Sequence, residues 1–552
     1  MRCRGQGLTR RAAMLAPLTT LTPLTPLTLG ACGARAPAAF EGTWLGAAHE
    51  RGHRLREPDT FSPSVTRRCA VAVVGGGVAG LAAARALQRA GVDDVHLFEL
   101  EDQAGGNSRG HAIAGMACPL GAHYLPLPGP DAHEVSELLH EVGLLRSVGG
   151  RTVADERHLC HSPQERLWVD GQWIEGLLPP AEPGSARARQ YQRFSALVVE
   201  ASRTLRFTIP SWRAGWTAGH AALDALPFAQ WLLNQGLDDT GLRWHLDYAC
   251  RDDYGAGIDT VSAWAGLHYF ASRHGFRAPG DDAADTRDAV FTWPEGNAWL
   301  TRRLAAPLGD RLHPASLVTR VEASKHGVAL DVKKAQREER WLAQQVIIAL
   351  PLHVAVRIVA QPPPALVEAG ALLAHAPWLV ANLHLRAPLT DKPGAPPSWD
   401  NVLVDARTPG KAGPALGYVD AMHQSLHPAP GPTVLSAYWA FGDGDRASRA
   451  RQRQALLDEP WQSWSSRVVD DLARAHPDLR AKTARVDLMR YGHAMAIPTP
   501  GVRGNAALQA LARPGAGRLH YAHADLAGYS IFEEAFTLGH MAGTAAARLL
   551  AR

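Results

Sequence analysis

Cysteine is scarce in this 552-residue chain: six residues, Cys3, Cys32, Cys69, Cys118, Cys160 and Cys250, none in CxxC spacing. That spacing implies no metal site; a disulfide outside the cytoplasm stays open, with its pairing undeducible. An excess of one charge is also missing. Lys and Arg number 57 against 53 Asp and Glu. Arg2, Arg4, Arg10 and Arg11, with no acid before Cys32, account for the whole difference. The body of the chain is neutral, which points away from nucleic acid as a partner. The Leu/Thr-rich stretch near the start is broken by Pro17, Pro23 and Pro26 and makes a poor spanning helix. With 46% hydrophobic and 20% charged residues the composition is that of an ordinary globular protein. The length is too great for one core, so two or more domains are expected.

What the chain does have is a glycine turn with its structural context. Residues 69–91 read as a buried strand, a tight turn and an alanine-rich helix. Gly75, Gly77 and Gly80 stand at GxGxxG spacing. The first permits the turn, the second lets backbone N–H groups approach a pyrophosphate, and the third lets helix and strand pack closely. The helix N-terminus adds its partial positive charge. A second apolar strand, Val95-His-Leu-Phe-Glu99, ends in an acid where a ribose-binding carboxylate is expected, roughly 20 residues on.

Ahead of this unit, Thr9-Arg-Arg-Ala-Ala-Met-Leu15 and Leu29-Gly-Ala-Cys32 resemble a twin-arginine export signal followed by a lipobox. The resemblance implies a signal segment over 1–32, export to the periplasm, and a membrane tether through a lipidated Cys32. Residues 33–68, rich in Ala, Gly, Arg and Pro, read as a tether with a short ordered piece near Phe40–Leu45.

Four further blocks carry a wider resemblance. They are Leu100-Glu-Asp-Gln-Ala-Gly-Gly-Asn-Ser-Arg-Gly110, Pro119-Leu-Gly-Ala-His123, Phe291-Thr-Trp-Pro-Glu-Gly-Asn-Ala-Trp-Leu300 and the closing block 518–543. Together they resemble the flavin amine oxidase superfamily, including its phytoene-desaturase-like members. The resemblance implies an α/β fold with a Rossmann-like, glutathione-reductase-type FAD domain built from discontinuous segments, 69–125, 291–351 and 486–552. An α+β substrate domain fills 126–290, mainly helical, and 352–485, a sheet plus a helix. It implies FAD contacts at Gly75, Gly77, Gly80, Glu99, Gly105, Gly106, Gly121, Ala122, Val321 (backbone to adenine), Asp525, Phe532 and Glu533. Asn107 replaces the family's Arg and Arg109 follows two places later; either can hold phosphate or adenosine atoms. Pro119 replaces an acid, Asn297 a second Gly, and Glu534 a Gly.

The resemblance also implies the chemistry: an FAD-dependent oxidoreductase moving a hydride from a small organic substrate to the flavin. The family's amine oxidases carry a Lys on a central strand, whose counterpart Trp378–Leu385 has none. Ala494 and Ile531 fall at the positions of the two aromatics that flank the amine. His493 and His123 are the candidate acid/base residues, with His493 also a candidate for covalent flavin attachment. Asp252, Asp253 and Tyr254 either face a substrate or cap a helix. The alternatives are a desaturase or isomerase acting on an apolar lipid or polyene, and a non-catalytic flavin-fold binding protein. The tryptophans of 126–290 are expected in the core.

Overall fold

The computed structural model describes residues 40–46, 48–57, 60–279, 289–335, 337–404, 409–425 and 429–552. The signal segment 1–32 and residues 33–39 lie outside the described residues. The elements needed below are, in chain order, β1 (Glu41–Leu45), β2 (Val65–Val74), α1 (Val78–Arg89), β3 (Val95–Phe98), α2 (Thr240–Tyr254), β4 (Arg337–Ile348), β5 (Ala374–Leu385), β6 (Thr433–Ala440), β7 (Thr483–Ile497) and α3 (Phe532–Leu550).

Val71 to Val74 form an apolar run that is buried throughout, as a strand covered on both faces requires. β2 pairs in parallel with β3 on one side and β4 on the other, Val71 lying opposite Val95 and Gln345. Leu312–His313 extends the parallel sheet beyond β3, and Leu519–Tyr521 pairs in parallel with the end of β4. The front half of β4 instead carries an antiparallel meander, Gly327–Lys334 and Ser316–Ser324. This seven-stranded sheet draws on three separated stretches of sequence.

α1 crosses the sheet with Leu81, Ala82, Ala83 and Leu87 fully buried. α3 lies against it backbone to backbone. A Cβ on Gly539 would stand 2.0 Å from the Ala79 carbonyl oxygen, and one on Gly543 2.4 Å from that of Ala83.

The second sheet has eight strands in the order β1, β7, β5, β6, Ala415–Asp420, Asp400–Leu403, Glu165–Val169 and Gln172–Glu175. β5 lies near its middle and is buried along almost its whole length. Helices between 186 and 271 wall this sheet on the side of the cavity described below.

Three sequence boundaries move. The expected tether 33–68 belongs to the folded body from Phe40 onward, because β1 pairs in parallel with β7, Glu41 opposite Arg485, and β2 already begins at Val65. β7 carries the second sheet to Ile497, past residue 485, because its apolar residues continue the pairing with β5. Within 126–290, helix His133–Glu141 packs into the core shared by α1 and α3, and Glu165–Glu175 supplies two strands of the second sheet. Trp168, Trp173, Trp244 and Trp264 are buried, Trp216 and Trp231 are half-buried, and Trp212 is exposed. The four described cysteines are unpaired.

Candidate active site

Gly75, at φ 105°, turns the chain out of β2, and a Cβ on Gly80 would lie 1.9 Å from its carbonyl oxygen. Gly77 caps α1 and no side chain closes the helix end, so the first-turn N–H groups point outward with the dipole. Gly105 and Gly106, at φ 131° and 57°, fold over this end. The Gly105 N–H donates to the Gly76 carbonyl at 2.8 Å, and a Cβ on Gly106 would stand 3.0 Å from the Gly77 Cα. The Glu99 carboxylate accepts from the Gly76 N–H at 2.7 Å and the Glu101 N–H at 2.8 Å. Burial pushes its pKa up against the pull of those two N–H groups. A positive helix end with no acid in its own first turn, a backbone surface that only glycine leaves open, and a carboxylate beside it fit a dinucleotide.

The next turn is locked by its own polar groups. Asn107 Nδ2 donates to the Ala494 carbonyl at 2.6 Å, and the Asn107 carbonyl accepts from the Ala122 N–H at 2.9 Å. A Cβ on Gly121 would reach that oxygen at 2.2 Å. Asn297 clamps the other side, its N–H to the Ala122 carbonyl at 3.0 Å and its Nδ2 to the Tyr124 carbonyl at 2.9 Å. Arg109 turns inward, with Nε to the Gly106 carbonyl at 3.0 Å and Nη1 to Glu101 at 3.1 Å. It braces the loop.

Two residues predicted to touch the cofactor already have protein partners. The carbonyl of Val321 accepts from the Ala360 N–H at 2.9 Å and the residue is fully buried, so that carbonyl is already engaged. The strand comes free of its ladder earlier, at the register shift between Val318 and Arg320, where Thr319 Oγ1 is buried without a partner. Asp525 has no exposed surface. Its carboxylate takes the Leu352 N–H at 2.9 Å, His375 Nε2 at 3.0 Å and His523 Nδ1 at 3.2 Å. Burial pushes that carboxyl up, but the charges of His375 and His523, with their hydrogen bonds, outweigh it and hold it well below the usual range.

His493 sits where β7 bulges out of register with β5, between Tyr491 and Met495. Its ring packs 4.6 Å from that of His353. Desolvation against these rings, then the neighbouring His353, His375, Arg453 and Arg56, push its pKa down to about 2.

A cavity of about 810 Å³ opens between the second sheet and the helical wall. Its polar lining mixes acids, histidines and tyrosines with Arg273 and Arg277. Asp252 enters from the last turn of α2, with Tyr124 Oη donating to its Oδ2 at 3.3 Å. Burial, then the charge of Asp253, push Asp252 to about 7. Across from it, burial and the charges of Asp252 and Glu165 hold Asp400 well above the carboxylate range, with Tyr248 hydrogen-bonded to it. Glu533, in the first turn of α3, also lines this cavity, and burial pushes it to about 7. Phe532 beside it stacks on Phe536 at 5.8 Å in the core. His123 lines the cavity and stacks on Tyr438 at 4.4 Å. Burial drives it down to about 4, leaving the imidazole neutral at pH 7.

The polar cluster at 250–257 thus divides. Asp252 faces the cavity, Asp253 is paired with Arg273 at 3.0 Å, and Tyr254 Oη donates to the Ala265 carbonyl at 3.0 Å. None of the three caps a helix, α2 ending instead in left-handed Gly255. Sequence reasoning missed Asp400, Glu165 and Tyr248, which reach the cavity from three separate elements and form no local pattern.

The family model for flavin containing amine oxidoreductase matches residues 78–550. The chain belongs to that family. The putative flavin-containing monoamine oxidase AofH of Mycobacterium tuberculosis is 28% identical over 299 residues, 53% of this chain and 59% of that protein. The chain therefore spans about three-fifths of that curated relative's length. Cyclohexylamine oxidase from Brevibacterium oxydans shares the fold at 19% identity and a TM-score of 0.63, covering 88% of this chain and 100% of that one. A putrescine oxidase does so at 19% and 0.62 with the same coverage. FAD is the cofactor of this flavin-containing family, and the glycine cradle with Glu99 suits it. The family's lysine is absent from β5, and neither Ala494 nor Ile531 lines the cavity. The aromatic surface comes from Tyr124, Trp399 and Tyr438 around His123 instead.

Proposed function

We propose that this protein oxidises an amine that enters the cavity as an ammonium cation. The carrying observation is the pair of half-buried acids Asp252 and Asp400 in one cavity, each disfavoured as a carboxylate by desolvation and by a neighbouring acid, Asp253 for Asp252 and Asp252 with Glu165 for Asp400. A cation between them compensates both charges, where a neutral lipid would compensate neither. When bound, FAD accepts the hydride from the carbon next to nitrogen. The chain's residues do the rest. The acids hold the cation, the Tyr124, Trp399 and Tyr438 rings wall the carbon chain, and the Asp252 carboxylate, made more basic by burial, takes the ammonium proton that must leave before hydride transfer.

The test is reduction of the bound flavin by amines without oxygen, with Asp252→Asn and Asp400→Asn alongside the parent. Amines should bleach the flavin, and each variant should raise the amine KM ~10-fold or more while leaving flavin content unchanged. Unaltered KM in both variants, or bleaching by apolar lipids alone, would overturn this reading in favour of the desaturase alternative.

The order of signals in the leader supports a second proposal, that the chain is exported and anchored through Cys32. Arg10-Arg11 precede the apolar stretch, and Leu29-Gly-Ala-Cys32 follows it. Among the described residues no helix is long and apolar enough to cross a membrane.

A further inference from the structure

We propose that His353, His375 and Asp525 bind one divalent transition-metal ion of the zinc type, clamping the two sheets together. No spacing in the sequence betrays this group, because its members come from three distant segments: the short helix after β4, the start of β5, and the turn after Leu519–Tyr521. Their candidate ligand atoms all lie within 4.8 Å of one another. His375 Nε2 already stands 3.0 Å from Asp525 Oδ1, and the two imidazole centroids of His353 and His375 are 4.9 Å apart at 65°.

Small ring rotations bring these atoms around an ion at the ~2.0–2.2 Å that zinc takes from His and Asp. Two features of the surroundings favour an ion over a purely internal hydrogen-bond cluster. His353 Nδ1 is buried without any partner, which costs free energy that a metal bond removes. The second oxygen of Asp525 is held by the Leu352 N–H at 2.9 Å, fixing the carboxylate as outer partners of metal ligands do. His353 is only half-buried, and the bulge carrying exposed His493 borders it, leaving a path for entry and a fourth donor at hand. Imidazole and carboxylate together suit zinc and its neighbours, not calcium or magnesium.

The experiment uses the flavin-loaded protein, stripped with a chelator and reconstituted with zinc chloride alone, with metal content and melting temperature as readouts. The expected result is one zinc per chain with flavin still bound, and a melting temperature raised by several degrees. His353→Ala and His375→Gln should each bind zinc at least ~10-fold more weakly with an unchanged flavin spectrum. His326→Ala, at an exposed histidine that is not a member of the cluster, should bind like the parent. No zinc after reconstitution, zinc retained in both cluster variants, zinc lost equally from His326→Ala, or zinc held only by the flavin-free protein would each overturn the proposal. None of these outcomes depends on amine turnover, so the proposed reaction stands or falls separately.

Discussion

Asp252 is the residue whose ionisation most directly links the fold to the proposed chemistry. Its folded pKa is raised to about 7, far above the ~3.9 of an unfolded aspartate. The stability it contributes as a neutral acid is therefore complete below about pH 4 and is lost as pH rises through about 7. Binding has the opposite sign, since an ammonium needs the carboxylate. The expected outcome is that kcat/KM for an amine rises with pH through about 7, while the melting temperature falls over the same range. Asp252→Asn should flatten both curves. Glu533 is also raised to about 7, so Glu533→Gln run in parallel decides the assignment; an inflection that survives Asp252→Asn and disappears in Glu533→Gln would transfer it. Such acids were only partly legible in the sequence. Gly75, Gly77, Gly80 and Glu99 stand in one local strand–turn–helix–strand unit, and their spacing alone places them. Asp252 was visible as one of a polar trio, but which member faces the cavity depends on the phase of α2. Asp400 has no local signal at all, because its position comes from sheet pairing with Glu165–Val169. Val321 follows a bulge between Val318 and Arg320, which no residue type announces.

Among the elements, the α1–α3 contact carries the most structural consequence. Gly539 and Gly543 let the two helices touch at backbone distance, and α1 presents its open N-terminus to the cofactor cradle. A methyl group at 539 cannot be accommodated by side-chain movement, because the atom it meets, 2.0 Å away, is the Ala79 carbonyl oxygen. Gly539→Ala should therefore force the helices apart, cost about 1–3 kcal/mol and loosen flavin binding. Thermal melting and flavin content after gel filtration check it; a variant with parent stability and full flavin would show that α3 slides freely. Gly539 lies inside the closing block 518–543, yet its partner Ala79, hundreds of residues earlier, is fixed only by the packing. The same holds for β7, whose pairing with β5 continues beyond the boundary at 485 that the resemblance implied. Strand ends follow hydrogen-bond partners, and partners are not local.

Across the whole molecule, the discontinuous cofactor domain was legible because each of its pieces carries a motif, whereas the placement of β1 was not. Glu41–Leu45 is short and half-exposed, so nothing in its pattern distinguishes a strand in a sheet from an ordered piece of tether. Its pairing with β7 has a consequence for the proposed anchor. Only residues 33–39 separate Cys32 from the folded body, a stretch that spans at most ~25 Å when fully extended. A lipid on Cys32 would thus hold the body close to the membrane surface instead of letting it range on a long leash. Cys32→Ala should move the protein from the membrane fraction to the soluble periplasmic fraction with its flavin and amine oxidation intact, because the anchor and the two sheets share no residue. Fractionation with a flavin absorbance readout measures both at once. Membrane association that persists in Cys32→Ala would remove the lipid anchor from the account and assign the attachment to the surface of the folded body.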